Sequence, residues 1–344
     1  MNKKHLIIGI VIVVLSFSYA FKNVSLEELG SALKSVQYLY LIPSLFFVAL
    51  TFLFRTMRWR YLVGSVKEVK TADLASPMMI GFMSNILPAR AGELIRAYLL
   101  GKKENISFSA SFATIFVERL MDMMLFLGLL VGVMLYSSDI LARGNAAGSH
   151  DLVGTMKSFG WFSFVVLIGI CVFSGLLQYK NKWAMRIVGV CVKHLPLKWK
   201  DKITGMVHSF TEGLSILKDP KGFMASVILT FFVWAAMISV YYPIYLAFGI
   251  EAELPMISSL VILSLTVGIF ISVLPTPAFL GSFQLACVVA LHDIFGISEA
   301  VSASYGIVAW LVNMGFIILA GLVFILKDNI SFAELAASKD QETP

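Results

Sequence analysis

Apolar and polar positions along this chain fall into blocks rather than alternating residue by residue. The apolar blocks Leu6–Phe21, Tyr40–Met57, Phe108–Tyr136, Trp161–Gln178, Phe223–Phe248 and Ser302–Leu326 each approach or exceed the length of a membrane span. A spanning helix needs about 20 apolar residues, so these blocks predict about six spanning helices. The first follows Asn2-Lys3-Lys4-His5 and ends in Ser18-Tyr19-Ala20, a pattern shared with signal-peptide cleavage sites. The second contains Arg55 and stops in Arg58-Trp59-Arg60, which reads as an interfacial end, with Arg55, Arg58 and Trp59 contacting lipid head groups. Pro243 predicts a kink in Phe223–Phe248.

Two further blocks are broken. Leu74–Leu87 contains Pro77 and Gly81, runs into Pro88-Ala89-Arg90-Ala91-Gly92-Glu93, and is followed by the short run Leu94–Leu100. Neither half is long enough to span alone. Interrupted backbone at membrane depth is tolerated only inside protein or beside water, so residues 74–100 predict a re-entrant helical hairpin. Met256–Leu274 and Phe279–Leu291 flank Pro275-Thr276-Pro277 and predict a second hairpin over 256–291. The fold class is an all-α polytopic membrane protein.

Composition supports that class. Of 344 residues, 58% are apolar and only 14% charged, against about 25% charged in soluble domains. The mean hydropathy is +0.85. A net charge of +6 changes the picture mainly through its distribution. Arg58, Arg60, Lys67 and Lys70 share one loop region, and Lys180 to Lys221 form another, within which Trp199–Leu217 has the spacing of a surface amphipathic helix. Both basic regions should be cytoplasmic. The neutral or acidic loops near Asp139–Lys157, Glu251–Glu253 and Asp293–Glu299 should face outward, which leaves both termini inside. The expected location is a prokaryotic inner (cytoplasmic) membrane. No basic, aromatic soluble face suggests nucleic acid. Cys171, Cys191 and Cys287 lack metal spacing and read as small buried hydrophobes, and the five histidines are scattered, so no metal or cofactor is expected.

Ile86-Leu87-Pro88 opens one break and Val273-Leu274-Pro275 the other, with Gly92 and Gly281 following. With the loop orientations above, the order helix, helix, hairpin, helix occurs twice with opposite sense. Residues 1–136 form the first unit, 137–158 an outer loop, 159–326 the second unit with its cytoplasmic segment 180–221, and 327–344 a cytoplasmic tail. Such inverted repeats are a common plan of secondary transporters, whose broken helices meet near the bilayer midplane.

The candidate chemistry is ionic. Glu118, Arg119 and Asp122 lie in an apolar span, where each ionisable group costs about 2.5–3.5 kcal/mol on insertion scales. They therefore need partners. One reading is a closed ion-pair cluster that holds helices together. The other is a polar cavity in which Arg119 and Arg90 meet a lipid phosphate, as the planar guanidinium fork suits. If Arg119 meets a phosphate, removing Arg119 alone should leave the two carboxylates unpaired in low dielectric.

Arg58-Trp59, Gly81, Asn85, Leu87-Pro88-Ala89-Arg90-Ala91-Gly92-Glu93, Arg96, Glu118-Arg119 and Asp122 together resemble the lysylphosphatidylglycerol synthase transmembrane family, a flippase-like membrane region. This chain resembles a stand-alone member without a synthase domain. The resemblance implies lipid binding at Asn85, Pro88, Arg90, Gly92, Glu93, Arg96, Glu118, Arg119 and Asp122. The second break adds Pro275, Pro277, Gly281 and Gln284, and the last helix adds Asn313. There the family pattern weakens: Ala278-Phe279-Leu280-Gly281-Ser282 and Gln284 replace a Gly-rich turn and an acid, and Asn313 stands where a base is usual. The implied function is movement of an anionic lipid head group between leaflets. The alternatives are a membrane-embedded enzyme on a lipid or polyprenyl phosphate, and an accessory partner of a lipid-synthesis enzyme or glycosyltransferase. No Gly-Lys-Ser/Thr motif for ATP occurs, and the sequence does not fix the oligomeric state.

Overall fold

A computed structural model describes residues 11–137, 140, 154, 158, 160–169, 172 and 205–330, leaving out 12, 19, 23, 87–90, 212 and 275. Among the described residues the regular structure is entirely helical. Among the described residues, six helical segments are long and apolar enough to cross a membrane: Tyr38–Gly64, Phe108–Tyr136, Pro220–Phe248, Met256–Val273, Pro277–Ile294 and Glu299–Lys327. Of the expected span Leu6–Phe21, residues 11, 13–18 and 20 are helical. Of Trp161–Gln178, the described part is helical through Gly169 and at Val172.

The first labelled helix, α1 (Leu26–Lys34), is short and amphipathic. A capping box starts it: the Glu28 N–H donates to Ser25 Oγ at 3.1 Å and the Ser25 N–H to Glu28 Oε2 at 2.9 Å. Those bonds to Ser25 hold the Glu28 carboxyl below its ordinary range. A turn at Tyr38–Tyr40 leads into α2 (Leu41–Gly64). This helix does not stop at Arg58-Trp59-Arg60 but continues one turn beyond, because Arg58 and Trp59 are buried with partners rather than facing an interface.

α3 (Thr71–Met83) and α4 (Gly92–Glu104) turn back on each other as a helical hairpin. Each has 13 residues, roughly 20 Å at 1.5 Å per residue, short of a hydrocarbon core of about 30 Å. Two glycines let the arms touch. A Cβ on Gly81 would lie 2.7 Å from Arg96 Cβ and 2.9 Å from Gly92 O, and a Cβ on Gly92 would collide with Gly81 O. Asn85 Oδ1 accepts the Gly92 N–H at 3.2 Å and closes the turn from the other side. Helix α5 (Phe108–Tyr136), capped by Ser107, then crosses with 29 residues.

The described end of the basic segment packs against the spans. Leu214 and Ile216 are fully buried, Gly213 rests on Ala110 and Ala113, and Ser215 Oγ donates to Ser65 O at 2.9 Å. Residues 199–204 of the expected amphipathic helix lie outside the described part.

α6 (Pro220–Ser239) lies along α2 and is followed by α7 (Tyr241–Phe248). The break between them falls just before Pro243, whose ring has no N–H and crowds the carbonyl of Ser239. Neighbouring helices supply donors here: Ser44 Oγ donates to Val240 O at 2.9 Å and Tyr305 Oη to Tyr241 O at 3.0 Å.

α8 (Met256–Val273) leads into the second break, a 3₁₀ turn at Pro277–Phe279. α9 (Ser282–Val288) follows and winds into a π turn at Val289–Ile294, before α10 (Glu299–Lys327) ends the described chain. Both arms of this hairpin reach spanning length. The two breaks meet, Ser84–Ile86 against Pro277–Phe279. α10 backs both hairpins, with Gly321 against Met83 and Gly306 against Gln284.

Candidate functional site

Two complementary stripes build the site. Arg55 and Arg58 are three apart on α2, and Glu118 and Asp122 are four apart on α5, so each pair shares one helix face. Arg96 enters from α4, one turn beyond the Gly81–Gly92 seam. Arg119 and Glu93 complete the group.

Its interior is a balanced quartet. Arg96 grips Glu118 with both terminal nitrogens, Nη1 to Oε1 at 3.1 Å and Nη2 to Oε2 at 2.7 Å. Arg58 grips Asp122 likewise, at 2.6 and 3.2 Å, and its Nη2 lies 3.2 Å from Glu118 Oε1. The Arg58 and Glu118 side chains have no exposure and that of Arg96 has 2%. Thr230 on α6 accepts from Arg58 Nη1 at 3.0 Å. The Arg96 guanidinium stacks 3.7 Å over the Trp59 ring, and Trp59 Nε1 donates to Thr114 Oγ1 at 2.9 Å. Two forks on two carboxylates give short charge-assisted bonds, the arrangement a dry interior requires if ions are to remain charged there.

The outer edge is looser. Arg119 Nη2 donates to Glu118 Oε1 at 2.8 Å, but its Nη1 is 3.5 Å from Asp122 Oδ2 and its Nε is 3.4 Å from Glu93 Oε1. The Arg119 side chain is 36% exposed and that of Glu93 45%. Arg55 reaches Asp122 Oδ2 only at 3.7 Å and Glu118 Oε1 at 3.9 Å. It lies 5.2 Å over the Phe82 ring, with Nη2 toward Met237 Sδ at 3.8 Å. Arg55 Nη1 and Arg119 Nε are buried atoms without a hydrogen-bond acceptor, as are Arg58 Nε and Arg96 Nε in the quartet, so the looser edge is marked by its longer distances. Four guanidinium groups thus face three carboxylates among the described residues, and the surplus positive charge belongs to the edge.

Two expectations change. Arg55, Arg58 and Trp59 are not interfacial: their exposures are 8%, 0% and 0%. A basic residue near the end of an apolar run resembles an anchor until its acidic partner is found on a helix more than sixty residues away. Loss of Arg119 would not strand the carboxylates either, because Glu118 retains Arg96 and Asp122 retains Arg58. Thr230, Thr114, Phe82 and Met237 were not picked out from sequence. The three- and four-residue spacings of the Arg and acid stripes were the usable signal for the cluster's inward face.

The remaining candidates divide by location. Asn85 and Gly92 shape the first break. Pro88, Arg90 and Pro275 lie outside the described residues. Pro277, Gly281 and Gln284 shape the second break, where Gln284 Oε1 accepts the Gly281 N–H at 2.8 Å. Asn313 Nδ2 donates within its own helix to Ala309 O at 2.9 Å. These second-half groups satisfy local backbone rather than joining the ionic cluster. Cys287 is a buried free thiol. Among the described residues no group of three or more His, Cys, Asp or Glu side chains is placed to hold a metal ion.

Compared with known proteins, residues 6–321 match the family described as the lysylphosphatidylglycerol synthase TM region. A UPF0104 membrane protein of Methanothermobacter thermautotrophicus is 24% identical over 324 residues, covering 91% of this chain and 92% of that protein. The UPF0104 membrane protein PH1989 of Pyrococcus horikoshii is 23% identical over 95% of this chain and 98% of its own length. The glycosyltransferase AglD of Haloferax volcanii is 22% identical over 84% of this chain, and the match spans 49% of AglD. No solved structure gives a significant match.

Proposed function

Because this integral membrane protein belongs to the family of the lysylphosphatidylglycerol synthase transmembrane region, we propose that it moves an anionic lipid head group between leaflets, as a flippase or scramblase. The observation that carries this reading is the cationic edge at Arg55 and Arg119, held inside a bundle of spanning length beside the first helical break. A membrane interior penalises any ionic group, and intramembrane charges commonly mark substrate paths. A phosphate suits the surplus charge and the guanidinium fork. The meeting of two broken helices supports the inverted-repeat plan with a site near the midplane. In this reading the protein sits in a prokaryotic inner membrane with both termini cytoplasmic, needs no ATP site of its own, and performs no covalent chemistry.

Purified protein in liposomes tests it. Fluorescent phosphatidylglycerol placed in one leaflet should reach the other faster than in protein-free liposomes, and its mass should not change. Exchange at the protein-free rate would reject transport, and a chemically altered lipid would favour an enzyme. One observation favours a second reading: about half of a protein named as a glycosyltransferase matches this chain. A membrane partner in lipid-linked sugar transfer would bind its lipid without accelerating exchange.

A further inference from the structure

We propose that Glu93 is an exchangeable counter-anion, whose carboxylate holds the place at Arg119 that a lipid phosphate takes on entry. The inference rests on the lipid-handling reading above and names the residue that the head group displaces.

The cluster itself separates fixed from replaceable partners. Glu118 and Asp122 are each held by a two-pronged arginine, and the Glu118 carboxylate has no exposure. An incoming anion cannot replace either without stranding the displaced carboxylate in a dry interior. Glu93 differs on every count. Among the described residues it touches one arginine, at 3.4 Å, without a hydrogen bond from the Arg119 Nε it faces. Its side chain is 45% exposed, so its released carboxylate has solvent or head groups to enter.

Arg55 supplies the second half of the place. It is 92% buried, its Nη1 lacks an acceptor, and it converges with Arg119 on the same oxygen, Asp122 Oδ2, from 3.7 and 3.5 Å. A phosphodiester carries one negative charge and several acceptor oxygens. Exchanging it for the Glu93 carboxylate therefore keeps the net charge of the cluster while offering acceptors to both arginines. Glu93 also stands next to Gly92 in the first turn of α4, so its release occurs beside the glycine seam that closes the hairpin.

The test uses the full chain in phosphatidylcholine nanodiscs doped with a photo-crosslinkable phosphatidylglycerol. Glu93→Gln removes the competitor, and half-maximal crosslinking should come at an about fivefold lower phosphatidylglycerol fraction, the scale of an exposed ion pair. Arg119→Gln should shift it in the opposite direction. In the wild-type protein, a water-soluble carbodiimide with glycine ethyl ester should modify Glu93 severalfold faster once phosphatidylglycerol is present; this arm needs no variant to fold. Unchanged crosslinking by a folded Glu93→Gln, or an unchanged Glu93 modification rate while wild-type protein still takes up the lipid, overturns the exchange. A wild-type protein that takes up no phosphatidylglycerol instead defeats the lipid reading. A response to soluble glycerol phosphate in pure phosphatidylcholine nanodiscs, with none to phosphatidylglycerol, overturns the lipid source.

Discussion

The two helical breaks of this protein touch, yet they are built from opposite materials. The first joins two 13-residue arms through the Gly81–Gly92 seam and delivers Arg96 and Glu93 to the ionic cluster. The second joins arms of spanning length through a turn in which Ala278, Phe279 and Gly281 have φ of 52°, 60° and 83°. Its polar contacts are neutral: Gln284 accepts from Gly281, and Trp310 of α10 donates to Ala278 O at 2.9 Å. One break therefore positions charge and the other only positions backbone. An ionic group inside a bundle needs partners from several helices, which fixes the geometry of the first break tightly. Neutral groups need no charged partner, which leaves the second with milder constraints.

Substitutions can break or sharpen that contrast. Glu118→Leu should have the largest effect: it leaves Arg96 with no carboxylate in a dry interior, and a loss of about 3–5 kcal/mol is expected in detergent unfolding. Gly92→Ala forces a methyl group onto Gly81 O and should cost about 3 kcal/mol, the upper end of overpacking. Gly306→Ala, where α10 packs on the second hairpin, meets Gln284 Cα at 3.0 Å and should cost about 1 kcal/mol. Equal losses at the two glycines would remove the distinction between the hairpins. Thr230→Val deletes one acceptor from buried Arg58 and should lower stability by about 1.5 kcal/mol. Ala278→Gly should act oppositely, raising the unfolding midpoint by the equivalent of about 1 kcal/mol, since its left-handed backbone suits glycine.

The chain's all-helical membrane class was legible because spanning runs are written locally, in stretches longer than any soluble helix needs. The interruption between two short helices within 74–100 was legible for the same reason: Pro77, Gly81 and Gly92 punctuate runs too short to span. The end of α2 was not. Whether Arg58 faces an interface or Asp122 depends on a contact across 64 positions, which no local pattern records. Helix α1 escaped notice although Ser25 and Glu28 have capping-box spacing, because its nine residues are polar on one side and lie between two louder apolar runs. The acid stripe was readable residue by residue, whereas Arg55 and Arg58 read as interfacial. The cluster's division into a fixed quartet and a loose edge depends on differences of less than 1 Å, which appear only in three dimensions.

That division is the central claim, and Arg119 tests it most directly. Among the described residues, Arg119→Gln removes one positive charge from four facing three carboxylates, leaving the interior quartet intact and those charges balanced. Leaflet exchange of fluorescent phosphatidylglycerol should be measured in liposomes alongside the unfolding midpoint of the same preparation. The account predicts exchange reduced to the protein-free rate with an unfolding midpoint close to that of the wild type. Exchange at the wild-type rate by a folded Arg119→Gln protein would contradict it.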